Sequence, residues 1–414
     1  MPTDGLAPAP SAVASGPAED ALDLSAPAPA RRGRAPMSPT VAALLERCIT
    51  AGASDLHIHP LSPPIVRVNG VLTPLSPKIW DPETTESVCR ALCEDRFWAE
   101  VEREGTADFG IAHSRGERFR ASVMRQQQGY AAVLRRIPSQ LMRFEDIGLP
   151  AESMIRLLQR PRGLILVTGP TGSGKSTTLA TMVDWINEHM SRHIVTIEDP
   201  VEFRHHNKRG LVTQREVGTD VPGFAEAMRR ALRQDPDVVM LGEMRDLETI
   251  AAALTAAETG HLVLGTLHTT GSAKTINRII DAFSSQQQAQ IRVQLALSLL
   301  AVISQVLMPG KAPAVGGEKG DPNRVAGLEV MSMTPAVANL IRNNEIGRIQ
   351  DVIQTSRDRG MFSLDSHLQQ LVSEGAVEAD VALAYSQDPP TLRRLLGLPQ
   401  ERPDNGPVGR PGPG

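Results

Sequence analysis

From about residue 141 the chain repeats one pattern, a short apolar run followed by a long helical segment. GLILVTG leads into STTLATMVDWINEHM, and HIVTIEDP, FAEAMRRALRQ, DVVMLGE, LETIAAALTAAE and HLVLGTLH follow in turn. Strands that alternate with helices of this length pair by crossing over, which predicts an α/β fold with a doubly wound parallel sheet. Runs such as VVML offer no polar position on either face, as burial under helices on both sides requires. The pattern also says where to look for chemistry, because ligands of open parallel sheets sit at the carboxyl ends of the strands.

Reactive groups stand at those ends. GPTGSGKST, comprising Gly169, Pro170, Thr171, Gly172, Ser173, Gly174, Lys175, Ser176 and Thr177, follows one apolar run and opens a helix. It matches G-x-x-x-x-G-K-[ST] in the strand–loop–helix context that confirms a phosphate-binding loop. Glycines let backbone N–H groups curl around phosphate oxygens, and the helix N-terminus favours negative charge. Lys175 is the expected ligand of the β- and γ-phosphates, and the Ser176 hydroxyl is expected to hold Mg²⁺. A nucleoside triphosphate is the ligand this loop implies.

VTIEDP delivers Glu198 and Asp199, VVMLGEMRD delivers Glu243, and LVLGTLHTT delivers His268. Glu243 ends its strand as an acid holding Mg²⁺ would, and Glu198 is suited to polarise an attacking water. The two carboxylates can exchange these roles, and the residues alone do not decide between them. His268 follows its strand and is expected near the γ-phosphate or its water. His261 precedes the same strand, so a packing or subunit-interface role is expected of it instead.

The rest of the chain frames this core. Residues 1–37 are rich in proline and alanine and read as a disordered head, with 396–414 as a disordered tail. Between 38 and 138, short strand-like runs (SDLHIHP, PIVRVNGVLTPL, ADFGIAH, ERFRASVMRQQ, YAAVLRRIP) surround helical stretches and predict a small α+β domain. Thr40 is the expected cap of its first helix, and SVCRALCEDRFWAEVERE reads as helical. The ATPase core then spans 139–395, with a final helical region from about 287 and a mobile loop over 311–324. His57 and His59 share a strand face but lack a third metal ligand.

Composition removes other classes. A net charge of −4 and 3% aromatic residues argue against nucleic-acid binding. Cys48, Cys89 and Cys93 form neither a disulfide framework nor a metal knuckle. No signal peptide is apparent, and the longest apolar run, LALSLLAVISQVLM at 295–308, is too short and too polar to span a bilayer. A cytosolic protein is expected.

Four segments exceed a generic phosphate loop: GPTGSGKSTT, TIEDPVEF, QDPDVVMLGEMRD and TGHLVLGTLHTT. They resemble the Walker A, Asp box, Walker B and His box of the secretion ATPase superfamily, which drives type II and type IV secretion and type IV pili. ASDLHIHPLSPPIVRVNG, GEMRDLETIAAALTAAETGHLVLGTLHTTGSAKTINRIIDAF and GMFSLDSHLQQLVSEG are most similar to its pilus retraction branch. The likeness covers roughly 38–390. It implies a PAS-like N-terminal domain, a RecA-like core, a ring of six subunits and an ATP- and Mg²⁺-dependent motor. That motor would work from the cytoplasmic side of the inner membrane on a pilus platform protein.

On this resemblance Glu198 is the catalytic glutamate, Glu243 the Walker B acid, and His261 and His268 the His box pair. Arg120 and Arg135 match arginines that the N-terminal domain brings to the nucleotide. PAVANLIRNNEIGRI resembles the AIRNLIRE segment of retraction proteins at Asn339, Leu340, Ile341 and Arg342, and departs from it at Val337, Ala338 and Asn343. The absence of any CxxC pair sets the chain apart from pilus assembly ATPases, which usually carry a four-cysteine zinc motif. Other readings within reach are an accessory retraction paralog, a type II or IV secretion ATPase, or a nucleotide-binding scaffold with little turnover.

Overall fold

A computed structural model describes residues 37–68, 71–114, 116–137, 141–311 and 324–399. The expected disordered head, the tail from 400 onward and nearly all of the 311–324 loop lie outside the described residues. Two sheets organise the remainder.

The first is antiparallel, built from β1 (Asp55–Ile58), β2 (Ile65–Val68), β3 (Val71–Pro74), β4 (Thr106–Ala112), β5 (Arg118–Gln126) and β6 (Gly129–Ile137). Their order is β3-β2-β1-β6-β5-β4. Alternation separates the faces. Phe119, Ala121 and Val123 of β5, with Leu56 and Ile58 of β1, enter a core closed by the helices Pro39–Thr50, Pro82–Leu92 and Asp95–Glu104. Arg118 and Arg120 therefore fall on the opposite face of β5.

The second sheet holds β7 (Gly163–Thr168), β8 (His193–Glu198), β9 (Leu211–Glu216), β10 (Val238–Leu241), β11 (Leu262–Leu267), β12 (Leu299–Pro309) and β13 (Arg324–Ser332). Its order is β13-β12-β7-β11-β10-β8-β9, parallel except for β13, which runs antiparallel to β12. Successive residues of one strand serve different cores. Leu164 and Leu166 pack with the helices Phe224–Ala231, Leu247–Thr259 and Ser272–Asp281, while Ile165 and Val167 pack with Lys175–His189. Both faces are covered, which is why β7, β10 and β11 are apolar at every position but a few small or hydroxyl residues.

The structure corrects several expectations. The region from 287 to 395 is not wholly helical, because residues 299–309 and 324–332 are strands. An apolar run buried on both faces has no period to separate strand from helix, though the branched Val302, Ile303 and Val306 favour the strand. The first helix has Ser38 at its N-cap position, without a capping hydrogen bond from its side chain, with Pro39 first in the helix and Thr40 inside it. SVCRALCEDRFWAEVERE breaks at Cys93, whose backbone is extended. The apolar stripe Val88, Cys89 and Leu92 has no successor at the charged Asp95 and Arg96, so a second helix starts there with its own stripe. Burial pushes the Cys89 and Cys93 thiols up to about 12, so neither is a thiolate near neutral pH.

Candidate active site

The phosphate-binding loop leaves β7 at Thr168 and enters the helix Lys175–His189, with Gly174 as its left-handed N-cap. Its shape is dictated by near neighbours. At Gly169 (φ 146°) a Cβ would lie 2.1 Å from the carbonyl oxygen of Gln305, which excludes any side chain there. Gln305, buried on β12, accepts from Thr178 Oγ1 at 2.9 Å and donates through Nε2 to the Ser173 carbonyl. A strand more than a hundred residues downstream thus braces the loop and the first turns of its helix, and nothing in the sequence marks Gln305 for that task.

Lys175 donates to the carbonyls of Gly169 and Pro170, both at 2.9 Å, so its ammonium lies over the loop. Burial pulls its pKa below the ordinary lysine value, a shift opposed by the carboxylates of Glu243 and Glu202. Ser176 is exposed in the first helical turn, where N–H groups without intrahelical acceptors face outward along the helix axis.

Glu198 ends β8 and is 8% exposed. Thr196 Oγ1 donates to its Oε1 at 2.7 Å and Gln214 Nε2 to the same oxygen at 3.1 Å. Burial raises its pKa, and the two hydrogen bonds offset only part of that rise. Gln214 comes from β9, a strand the sequence pattern did not reveal because none of its side chains is fully buried.

Glu243 follows β10. A Cβ at the preceding Gly242 would sit 3.3 Å from Glu198 Cα, so the turns after β8 and β10 touch. Glu243 Oε1 accepts from Arg245 Nε, and His268 Nε2 lies 2.7 Å from the same oxygen. The Walker B turn and the histidine after β11 are therefore joined directly. Thr266 Oγ1 donates to the Gly242 carbonyl at 2.5 Å, and Met244 N to the Thr266 carbonyl at 3.0 Å, which locks the two strand ends in register.

His261 lies elsewhere. Its backbone carbonyl accepts from Gly163 N at the start of β7, and its Nδ1 is 3.2 Å from the Ala256 carbonyl at the end of the preceding helix. Six residues of β11, about 20 Å, separate it from His268. His261 therefore stands at the amino end of the sheet, away from the phosphate loop of its own subunit.

Of the arginines, Arg120 lies near enough to Asp199 for its charge to oppose the burial that raises that carboxyl's pKa. Arg135 donates to Asp55 Oδ1 at 2.8 Å within the N-terminal sheet, and among the described residues no hydrogen bond or ion pair links it to the phosphate loop. Another arginine of the N-terminal sheet, Arg118, lies 3.6 Å from Glu216 and is held below its ordinary pKa mainly by burial, with Glu216 and Glu198 opposing. It stands two residues before Arg120, hence on the same face of β5. Among the described residues no three His, Cys, Asp or Glu side chains group to hold a metal ion, which leaves His57 and His59 without a third ligand.

The sequence profile of the family described as type II/IV secretion system protein matches residues 30–383. This chain belongs to that family. It is 45% identical over 338 residues to the type IV pilus retraction ATPase PilT of Pseudomonas aeruginosa, covering 82% of this chain and 95% of that one. It is 43% identical over 326 residues to a twitching motility protein of Neisseria gonorrhoeae, covering 78% and 84%. The crystal structure of the pilus retraction motor PilT with bound ADP superposes with a TM-score of 0.77 at 42% identity, covering 85% of this chain and 98% of that one. The seven-stranded sheet with its phosphate loop is the RecA-like core of this family of ATPases. No helix among the described residues is long and apolar enough to cross a membrane.

Proposed function

We propose that this chain is the ATP-hydrolysing motor that retracts a type IV pilus, working as a homohexamer at the cytoplasmic base of the pilus machine. The observation that carries the reading is the 45% identity to a retraction ATPase sustained over 82% of this chain and 95% of that one. A pilus platform protein of the inner membrane is the partner this reading requires.

Within the site, the glycine-rich loop and Lys175 bind the phosphates of ATP. Glu198 acts as general base toward the attacking water, since burial moves its pKa toward the operating range of a base. His268, fixed by Glu243, faces the position of the γ-phosphate. The Ser176 hydroxyl and Glu243 carboxylate are hard oxygen donors, a set that suits Mg²⁺. When bound, that ion supplies positive charge to the β- and γ-phosphate oxygens. Arg118 and Arg120 sit on the sheet face turned toward Glu216 and Asp199. Closing that face over ATP adds positive charge at the transferring phosphoryl, and hydrolysis releases it.

The test is made in the bacterium that produces the protein. Removing the gene should leave surface pili present but abolish retraction and twitching, and a Lys175→Ala copy should fail to restore them. Undiminished retraction in the deletion strain would refute the reading and move the chain to an accessory or secretion role.

A further inference from the structure

β12 carries two polar residues, Ser304 and Gln305, both buried within an otherwise apolar strand. Adjacent strand residues point to opposite faces. Gln305 turns to the phosphate loop. Ser304 turns the other way, and its hydroxyl accepts from Gly271 N at 2.8 Å. Directly across the antiparallel pair, Ser304 faces Glu329 of β13. Glu329 is fully buried, and its Oε1 accepts from both the backbone N–H of Ser272 at 2.7 Å and the Ser272 hydroxyl at 2.8 Å. Its Oε2 has no hydrogen-bond partner among the described residues.

Gly271 and Ser272 end the segment that begins at His268 and open the helix Ser272–Asp281. Both their N–H groups are thus taken by the edge hairpin rather than by loop residues. Thr275 Oγ1, one turn on, donates to the Gly271 carbonyl at 2.8 Å and is 2.7 Å from Thr269 Oγ1. At Gly271 (φ 87°) a Cβ would meet the Gln387 side chain at 3.2 Å, which limits the segment from its other side. Such a buried carboxyl group with one oxygen unpaired is costly unless it has a task. Neither phosphate binding nor the proposed base chemistry uses it.

We propose that Glu329, with Ser304, is a positioning residue for His268. It fixes the far end of the histidine loop so that the imidazole stays on Glu243 and at the γ-phosphate. Because Gln305 holds the phosphate loop from the other face of β12, one strand sets the spacing between the two loops. The proposal rests on the reading of His268 as a group that faces the γ-phosphate.

The test uses the full chain with Glu329→Ala, Glu329→Gln, Ser304→Ala, His268→Ala and the Glu329→Ala/His268→Ala double variant. ATP turnover, affinity for a fluorescent ADP and thermal melting are measured for each. Glu329→Ala should lower kcat about tenfold or more, the scale for hydrogen bonds to a carboxylate, while ADP affinity stays within about twofold. Glu329→Gln keeps an oxygen at the Oε1 position and should restore most of the turnover. The double variant should be no slower than His268→Ala, because a residue acting through His268 has nothing left to act on once it is gone.

Wild-type turnover in Glu329→Ala, or a loss that adds in full to that of His268→Ala, would overturn the proposal. If Glu329→Ala does not fold, the same comparison is made with Ser304→Ala, which removes one hydroxyl and little volume. Wild-type turnover in His268→Ala would instead overturn the underlying reading of the site, an outcome distinct from failure of the brace.

Discussion

The two ends of the parallel sheet carry the same kinds of residue and use them differently. At the amino ends, Arg192 donates to the carbonyls of Leu158, Gln159 and Arg160. His193 Nδ1 meets the Asp235 carbonyl, its Nε2 meets Thr213 Oγ1, and Asp237 takes its backbone N–H. His261 closes the end of a helix. Arg192, His193 and His261 each bond to nearby backbone, so these groups tie loops together. At the carboxyl ends, Glu243 meets His268, Glu198 is buried between two donors, and Lys175 lies over a glycine loop. Apart from Lys175, which rests on two loop carbonyls, the side chains there bond to other side chains around the glycine loop. On the proposed reading, a histidine or acid beside a strand serves catalysis or structure according to which end of the strand it occupies.

Substitutions at the two ends should separate cleanly. The largest effect belongs to Lys175→Ala. Binding of a fluorescent ATP analogue should fall by at least about a hundredfold while the melting temperature changes little, since the ammonium contacts only loop carbonyls. His268→Ala should lower kcat about tenfold to a hundredfold with ADP affinity retained, measured by steady-state turnover and titration. A parallel loss of ADP affinity would mean that the histidine holds more than the terminal phosphate.

At the opposite end, Arg192→Met should cost about 1–2 kcal/mol in chemical denaturation through the lost carbonyl contacts, with turnover per folded subunit unchanged. His261→Ala should be milder, about 0.5–1 kcal/mol, with kcat within about threefold of wild type once the oligomer has formed. A collapse of kcat in that variant, at unchanged mass, would mean that His261 reaches a neighbouring subunit's nucleotide.

The smallest effect is one of pH. Glu198 binds its proton more tightly in the folded than in the unfolded chain. The stability it contributes is therefore complete below the unfolded carboxylate pKa and is lost as pH rises through the folded one. Glu198→Gln removes that loss, so the variant should lose less stability than wild type as pH rises above the unfolded carboxylate pKa, measured by thermal melting.

How much of this was legible in the sequence follows from the range of each interaction. The strand–helix rhythm, the phosphate loop and the acids ending β8 and β10 are local, so residues a few positions apart place them. Gln305 could not be found that way, because its partner Thr178 lies 127 residues earlier. Glu329 and Ser304 were hidden for the same reason and by a second one. Their strands fall in a stretch read as helical, where a two-sided apolar run carries no periodicity. Gln214 was missed because β9, an edge strand, has no fully buried face. Arg118 was passed over for Arg120, its neighbour on the same sheet face, because only contact with β9 distinguishes them.

If the carboxyl end of the sheet is a hydrolytic site with Glu198 as its base, turnover must fail when that carboxylate is removed. The most direct test is ATP turnover per subunit across protein concentrations, with mass measured in parallel, for wild type beside Glu198→Gln. Turnover is expected to climb as hexamer forms and to drop by about a hundredfold or more in the variant, with ATP still bound. Turnover that survives Glu198→Gln in the assembled ring would contradict it and pass the role of base to Glu243.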